Sequence, residues 1–163
     1  MRVFSKWNDE ILMSSVSMIG WQARFRPLAS GIDKAEFARR MARVPLAEIR
    51  AKWEIAAGPG FTPAELEESR RKIRWFLERM EQALGTGPWL AGRSYSLADI
   101  NAYPMIEGVT RLYPEIWNEK QVPRSIGWLA RINARPAVQA AFGHSRFKNA
   151  PGRARDAEMA LRA

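Results

Sequence analysis

The sequence has no cysteine and a single histidine, His144. Without thiols there is no disulfide, no thiolate metal site and no cysteine nucleophile, and a reducing cytoplasm suits the chain. A lone imidazole cannot build a multi-histidine metal site, so no metal is expected. A Ser-His-Asp triad would have to use His144, which lies in G-H-S-R-F near the end of the chain with no base-orienting neighbour. It reads as a solvent-facing loop residue, and no catalytic residue is assigned. No stretch of about 18 apolar residues occurs, which excludes a helical membrane span. Residues 11–21 are apolar enough to imitate a short signal segment, yet Asp9 and Glu10 precede them, Ser14 and Gly20 interrupt them, and no small-residue cleavage site follows. Export is rejected and a cytoplasmic location expected.

What is present is a globular composition. The 163 residues are 47% hydrophobic and 26% charged, enough for one domain with a core. Lys and Arg number 26 against 17 Asp and Glu, a net charge of +9, which suits nucleic acid, an anionic membrane or an acidic ligand. The arginines do not form one block, however. Arg39, Arg40, Arg70 and Arg71 alternate with glutamates at helical spacing, the pattern of a solvated helix face. Residues 143–163 are more basic, with Arg146, Lys148, Arg153, Arg155 and Arg162 against Asp156 and Glu158. They read as a basic C-terminal tail, helical in part at most. No aromatic–basic interleaving accompanies them, so nucleic acid is not an expected partner.

The hydrophobic period is helical almost throughout. Val3, Trp7, Ile11, Ser14, Met18 and Trp21 recur every three or four positions, which predicts one face of a long first helix, broadened by Phe4 and Leu12 and ended by Pro27 and Gly31. Asp33 and Glu36 form a D-x-x-E capping pair for a short helix, and Pro45 precedes another that carries Leu46, Ile49 and Trp53. After the Gly58-Pro59-Gly60 breaker, Thr62 and Glu65 make a capping box with Pro63 at the first helical position. Leu66, Ile73, Leu77, Met80 and Leu84 then share a face, with Phe76 beside them. Pro123 starts a helix bearing Ile126, Trp128, Leu129 and Ile132, which Arg135-Pro136 breaks. No strand alternation and no repeat occurs, and the tryptophans lie on helical faces and are read as core. The fold class is all-α.

The densest signal is W-L-A-G-R-S-Y-S-L-A-D-I-N-A-Y-P, residues 89–104. Ser96 caps a helix, Asp99 completes the box three residues on, and Tyr95 and Ile100 have the spacing of a hydrophobic staple. Such a cap contributes about 0.5–2 kcal/mol. A serine near an aspartate imitates part of a triad, but backbone donors occupy both groups, so their role is structural. Pro104 falls inside this helix, where a kink or a tightened turn is expected.

This segment resembles the capped core helix in the C-terminal domain of glutathione transferases. I-G-W-L-A-R-I-N-A-R-P-A-V-Q-A-A-F, residues 126–142, resembles the closing helix of that domain, and M-R-V-F-S-K-W-N-D-E resembles its first helix, with similarity to the bacterial β-etherase-like branch. The resemblance implies a helical bundle over residues 1–142, followed by the basic tail. In that family a thioredoxin-like domain precedes the helical one, binds glutathione and supplies the group that stabilises its thiolate. The sequence carries no βαβ unit, no cis-proline turn and no γ-glutamyl site. The expectation is therefore a helical half, inactive alone, that works with glutathione only when a thioredoxin-like domain is present in the same or a separate chain. Met1 falls where the resemblance places an interior residue.

The resemblance also assigns roles. The first helix supplies the wall of the apolar substrate site, for which Phe4, Trp7 and Ile11 are the candidates; Asn8 or Asp9 would reach a partner subunit's glutathione. The complete protein would transfer glutathione to a hydrophobic electrophile or cleave an ether or thioether. The alternative is a non-catalytic protein-interaction module of the same fold. Either way a homodimer through the first two long helices is expected.

Overall fold

The structure is a computed structural model and describes residues 2–143. His144 and the basic residues of the tail lie outside the described residues.

Residues 2–29 follow one helical path made of five pieces: α1 (Arg2–Trp7), a π-helical turn (Asn8–Leu12), α2 (Met13–Gly20), a second π-helical turn (Trp21–Phe25) and α3 (Arg26–Ala29). The junction residues Trp7, Leu12, Gly20 and Phe25 all keep α-helical backbone angles, so the π turns widen the helix without breaking it. Pro27 does not end this path. It lies just after the second π turn, in which the Arg26 N–H bonds to the Trp21 carbonyl, and the helix runs on to Ala29 without the proline's N–H.

The buried face of this helix is not the stripe read from the sequence. Phe4, Asn8, Leu12, Ser15, Val16 and Ile19 are buried, whereas Val3 is 55% exposed. Two polar residues stand on the true seam, and Ser15 is accommodated because its hydroxyl donates to the Ile11 carbonyl at 2.8 Å. Phe4 and Leu12, which only broaden the stripe that the spacing predicts, belong to the buried seam.

Two short helices follow, α4 (Lys34–Ala42) and α5 (Ala47–Ala57). Asp33 caps α4 by accepting from the N–H groups of Ala35 and Glu36 at 2.9 and 3.2 Å. The reciprocal half of the expected D-x-x-E pair is absent, because Glu36 turns outward to Arg39 and Arg40. Leu46 is the exposed residue ahead of α5 rather than part of its packed face. Gly60 closes the turn after α5 with φ +77°, and a Cβ there would lie 2.6 Å from the Arg26 guanidinium.

The remaining elements are α6 (Pro63–Leu84), α7 (Leu97–Leu112), α8 (Pro123–Asn133) and α9 (Pro136–Gly143). In α6 the Thr62–Glu65 box is closed in both directions: the Glu65 carboxylate accepts from the Thr62 N–H at 2.8 Å, and the Thr62 hydroxyl accepts from the Glu65 N–H at 3.3 Å. Pro104 leaves α7 unbroken. It lies on the exposed side, so the Ile100 carbonyl that loses its helical donor can turn to water.

The long first helix packs on α6 and α7, and α6 packs on α8. Leu12, Ile73, Phe76, Met80, Ile106, Trp128 and Ile132 form the fully buried centre. The first helix and α7 approach closely at Gly108, where a Cβ would stand 3.1 Å from the Val16 side chain. Of the tryptophans only Trp128 is fully buried; Trp7, Trp75, Trp89 and Trp117 pack against the core from its edge. Trp21 and Trp53 stand apart from it with Phe25, in a cluster that holds α5 to the second π turn. Among the described residues the one extended pairing is a single bridge between Trp89 and Gly92, and no helix is long and apolar enough to cross a membrane.

Candidate functional site

Ser96 and Asp99 lie where the sequence suggests, at the start of α7, and their surroundings are those of a structural hub. The Ser96 hydroxyl accepts from the Ala98 N–H at 3.3 Å, and the Asp99 carboxylate accepts from the Ser96 N–H at 2.9 Å. The other Asp99 oxygen accepts from the Leu90 N–H at 2.9 Å and from the Trp128 indole N–H at 2.8 Å. Asp99 is fully buried. One carboxylate therefore joins the 89–96 loop, the start of α7 and the middle of α8. Every donor that faces it is already used, which leaves no free base or nucleophile there. Around this hub Tyr95 packs edge-on against Trp89 at 5.0 Å and beneath the Arg135 guanidinium at 3.6 Å. Ile100, the other member of the proposed staple, is 48% exposed.

The three candidate substrate residues lie within two turns of the first helix, in unequal surroundings. Phe4 is 8% exposed, with its ring edge-on to Trp7 at 5.4 Å and to Phe76 of α6 at 6.1 Å. That packing occupies the ring and leaves it behind the surface. Trp7 is half-buried, edge-on to Trp75 at 5.0 Å, and Ile11 is half-buried inside the first π turn. Asn8, beside them, is buried; its Oδ1 has no partner among the described residues and its Nδ2 donates to Asp9 at 3.2 Å. Asp9 is exposed. A second aromatic surface was missed in the sequence. Trp21, Phe25 and Trp53 meet with ring centroids 4.6–5.4 Å apart, all of them half-buried. The i,i+4 spacing of Trp21 and Phe25 was its only local signal.

A cleft of about 400 Å³ opens between α6 and the segment before α8. Its floor is Leu77, Ile116 and Val122, and its rim carries Arg74, Glu78 and Glu81. The Glu81 carboxylate accepts from the N–H groups of Arg124 and Ser125 at 3.2 and 2.7 Å, so it caps α8 from another helix where Val122 offers no capping side chain. Glutathione, with two carboxylates and one ammonium, does not fit this rim. The one cation, Arg74, already lies 3.3 Å from Glu67, and the other charges present are carboxylates. No group of described residues could hold a metal ion.

Comparison with known proteins agrees with this geometry. Residues 45–136 match the family of the glutathione S-transferase C-terminal domain. Protein LigF of Sphingobium sp. (strain NBRC 103272 / SYK-6) is 35% identical over 150 residues, which cover 90% of this chain and 58% of LigF. Disulfide-bond oxidoreductase YfcG of Escherichia coli (strain K12) is 30% identical over 88 residues, covering 50% of this chain and 37% of YfcG. The crystal structure of β-etherase LigF superposes with a TM-score of 0.80, over 89% of this chain and 61% of that one. The chain thus spans less than two thirds of these relatives.

Proposed function

Because the chain belongs to the glutathione S-transferase family through its C-terminal domain, we propose that it is the helical, acceptor-orienting half of a glutathione-dependent enzyme. That enzyme transfers glutathione to a hydrophobic electrophile or cleaves an aromatic ether. The observation that carries this reading is the superposition on β-etherase LigF, with 35% identity across nearly the whole of this chain. Glutathione is held by a thioredoxin-like domain, in the same or a separate polypeptide, and residues 1–142 act as one unit against it. The half-buried Trp7 and Ile11 form the acceptor wall, and Phe4 backs them from the core. A flat aromatic face suits a planar apolar acceptor.

The test is an assay of the chain combined with a glutathione-binding domain, with an aryl ether as acceptor and Trp7→Ala as the variant. Trp7→Ala should raise KM for the ether by about tenfold, the loss of roughly 1.4 kcal/mol of acceptor contact, with little change in KM for glutathione. Trp53→Ala should leave both constants alone. Equal effects on both substrates, or an effect from Trp53 alone, would move the acceptor off the first helix.

A further inference from the structure

Glutathione transfer gives no task to the cleft beside α6 or to the basic residues 144–163. The floor of the cleft, Leu77, Ile116 and Val122, is buried by its own walls, so the opening of about 400 Å³ meets apolar carbon at its base. The charges around it are unequally matched. Arg74 lies 3.3 Å from Glu67 and Arg124 3.8 Å from Glu81. Glu78, on the rim, has no cation within ion-pair distance among the described residues. The loop that forms the other wall, residues 113–122, carries Glu115 and Glu119, both exposed and likewise without an ion pair there. The Asn118 carbonyl accepts from the N–H groups of Gln121 and Val122 at 3.1 and 2.9 Å, and the Gln121 amide reaches the Glu115 carbonyl at 3.5 Å. The loop is therefore compact, and both acids stay within a few residues of the lining Ile116 and Gln121. Against these three carboxylates the loop sets one ammonium, Lys120.

We propose that residues 144–163 dock along this cleft of their own helical domain, with their cations against Glu78, Glu115 and Glu119 and one apolar side chain in the opening. Their composition is the reverse of the cleft's. Arg146, Lys148, Arg153, Arg155 and Arg162 face only Asp156 and Glu158, and Phe147, Met159 and Leu161 are the large apolar residues available for the opening. The reach is sufficient. α8 begins beside the cleft, and α9 follows it and packs on it. Laid end to end, the two helices measure about 30 Å, whereas residues 144–163 extend to about 65 Å. Tethering favours this copy of the segment over any other, because the joined chain keeps it at an effective concentration in the millimolar range. The attraction is between exposed charges, so it weakens as salt rises.

The full chain has no cysteine, so a pair of nitroxide labels can be placed at Lys120→Cys, beside the cleft, and Ala157→Cys. Pulsed electron-spin distance measurement at low salt should give one narrow population, shorter than the roughly 30 Å span of α8 and α9. High salt should remove most of it, and so should Glu78→Lys/Glu115→Lys, which changes two exposed side chains and should melt as the parent does. Glu48→Lys/Glu54→Lys on α5 alters the net charge equally and should leave the population in place. A broad distribution in the parent overturns the docking. So does a narrow one that Glu78→Lys/Glu115→Lys leaves unchanged, or that both charge reversals abolish alike. Dilution into unlabelled chain tests the remaining occupant: a short distance lost on dilution puts a second copy's segment in the cleft and overturns docking within one chain.

Discussion

Asp99 shows how much one side chain carries. It receives N–H bonds from Ser96 and Leu90 and from the Trp128 indole, all inside the protein. Asp99→Ala strands those donors without water and should cost about 3–5 kcal/mol, whereas Ser96→Ala loses the cap on the Ala98 N–H and the hydroxyl's bond to Asp99 and should cost about 1–2 kcal/mol. Urea unfolding of the two variants checks this, and equal losses would reduce Asp99 to an ordinary capping residue. The spacing of Ser96 and Asp99 was legible because a capping box is local. The bonds to Leu90 and Trp128 were not, since a contact across 29 residues leaves no mark on either segment. Tyr103 gives the matching case in pH. Burial, with Glu107 nearby, pushes its phenol up to about 12. The folded chain therefore keeps a proton that the unfolded chain releases near pH 10. This contribution is complete below about pH 10 and lost as pH rises through about 12. Tyr103→Phe should be less stable than the parent at neutral pH but lose less stability across that window, which urea melts at about pH 9 and about pH 11.5 would resolve.

The first helix marks where reading an element from its sequence succeeds and where it slips. Its existence followed from apolar residues three and four apart, while its end lay beyond Pro27, at Ala29. Its buried face did not, because Asn8 and Ser15 interrupt the seam with polar groups while Val3 and Met13 place apolar ones outside it. The π turns add to the error by rotating the face relative to a regular helix, and nothing in the composition of residues 8–12 announces one. Leu12, fully buried where the first helix meets α6 and α7, is the position that decides the assignment. Leu12→Ala should cost about 2–5 kcal/mol. Asn8→Leu should hold or raise stability, since it replaces a buried oxygen without a partner by an apolar group. Chemical denaturation of both decides, and the opposite order would restore the stripe through Val3 and Ile11. By contrast α6 and α8 were readable for the most part, because Pro63 and Pro123 start them and most of their apolar residues are buried, although Leu66 and Ile126 are half-buried and the serines Ser69 and Ser125 share the buried faces. Even there the acid that caps α8, Glu81, comes from α6 and could not be assigned from the sequence around Pro123.

At the scale of the whole molecule the exposed large apolar residues among the described ones lie at three places, α7 with Leu97 and Ile100, α5 with Leu46 and Ile55, and the first helix with Val3 and Met13, and the first and last of these ask for different partners. The α7 pair has a cationic edge, exposed Arg93 and the Arg135 guanidinium over Tyr95, which disfavours pairing with a second copy of itself. The outer side of the first helix is different. Val3 and Met13 are 55% and 47% exposed on the two flanks of its buried seam, one residue before Phe4 and one after Leu12, and the Trp7–Trp75 pair joins this helix to α6. The charges nearby are of both signs, with Lys6 on Glu10 and with Arg71 and Lys72 on Glu68. A mixed rim around apolar residues can meet its own copy about a two-fold axis without like charges being forced together. The homodimer should therefore form through the first helix and α6. Sedimentation at micromolar concentration should give a dimer, and Val3→Glu/Met13→Glu should give a folded monomer with the same helical content. Arg93→Glu/Arg135→Glu should leave the dimer intact, since it alters only the α7 surface. A parent that sediments as a monomer would refute the dimer, and a dimer that survives the glutamates at Val3 and Met13 would place it on another face.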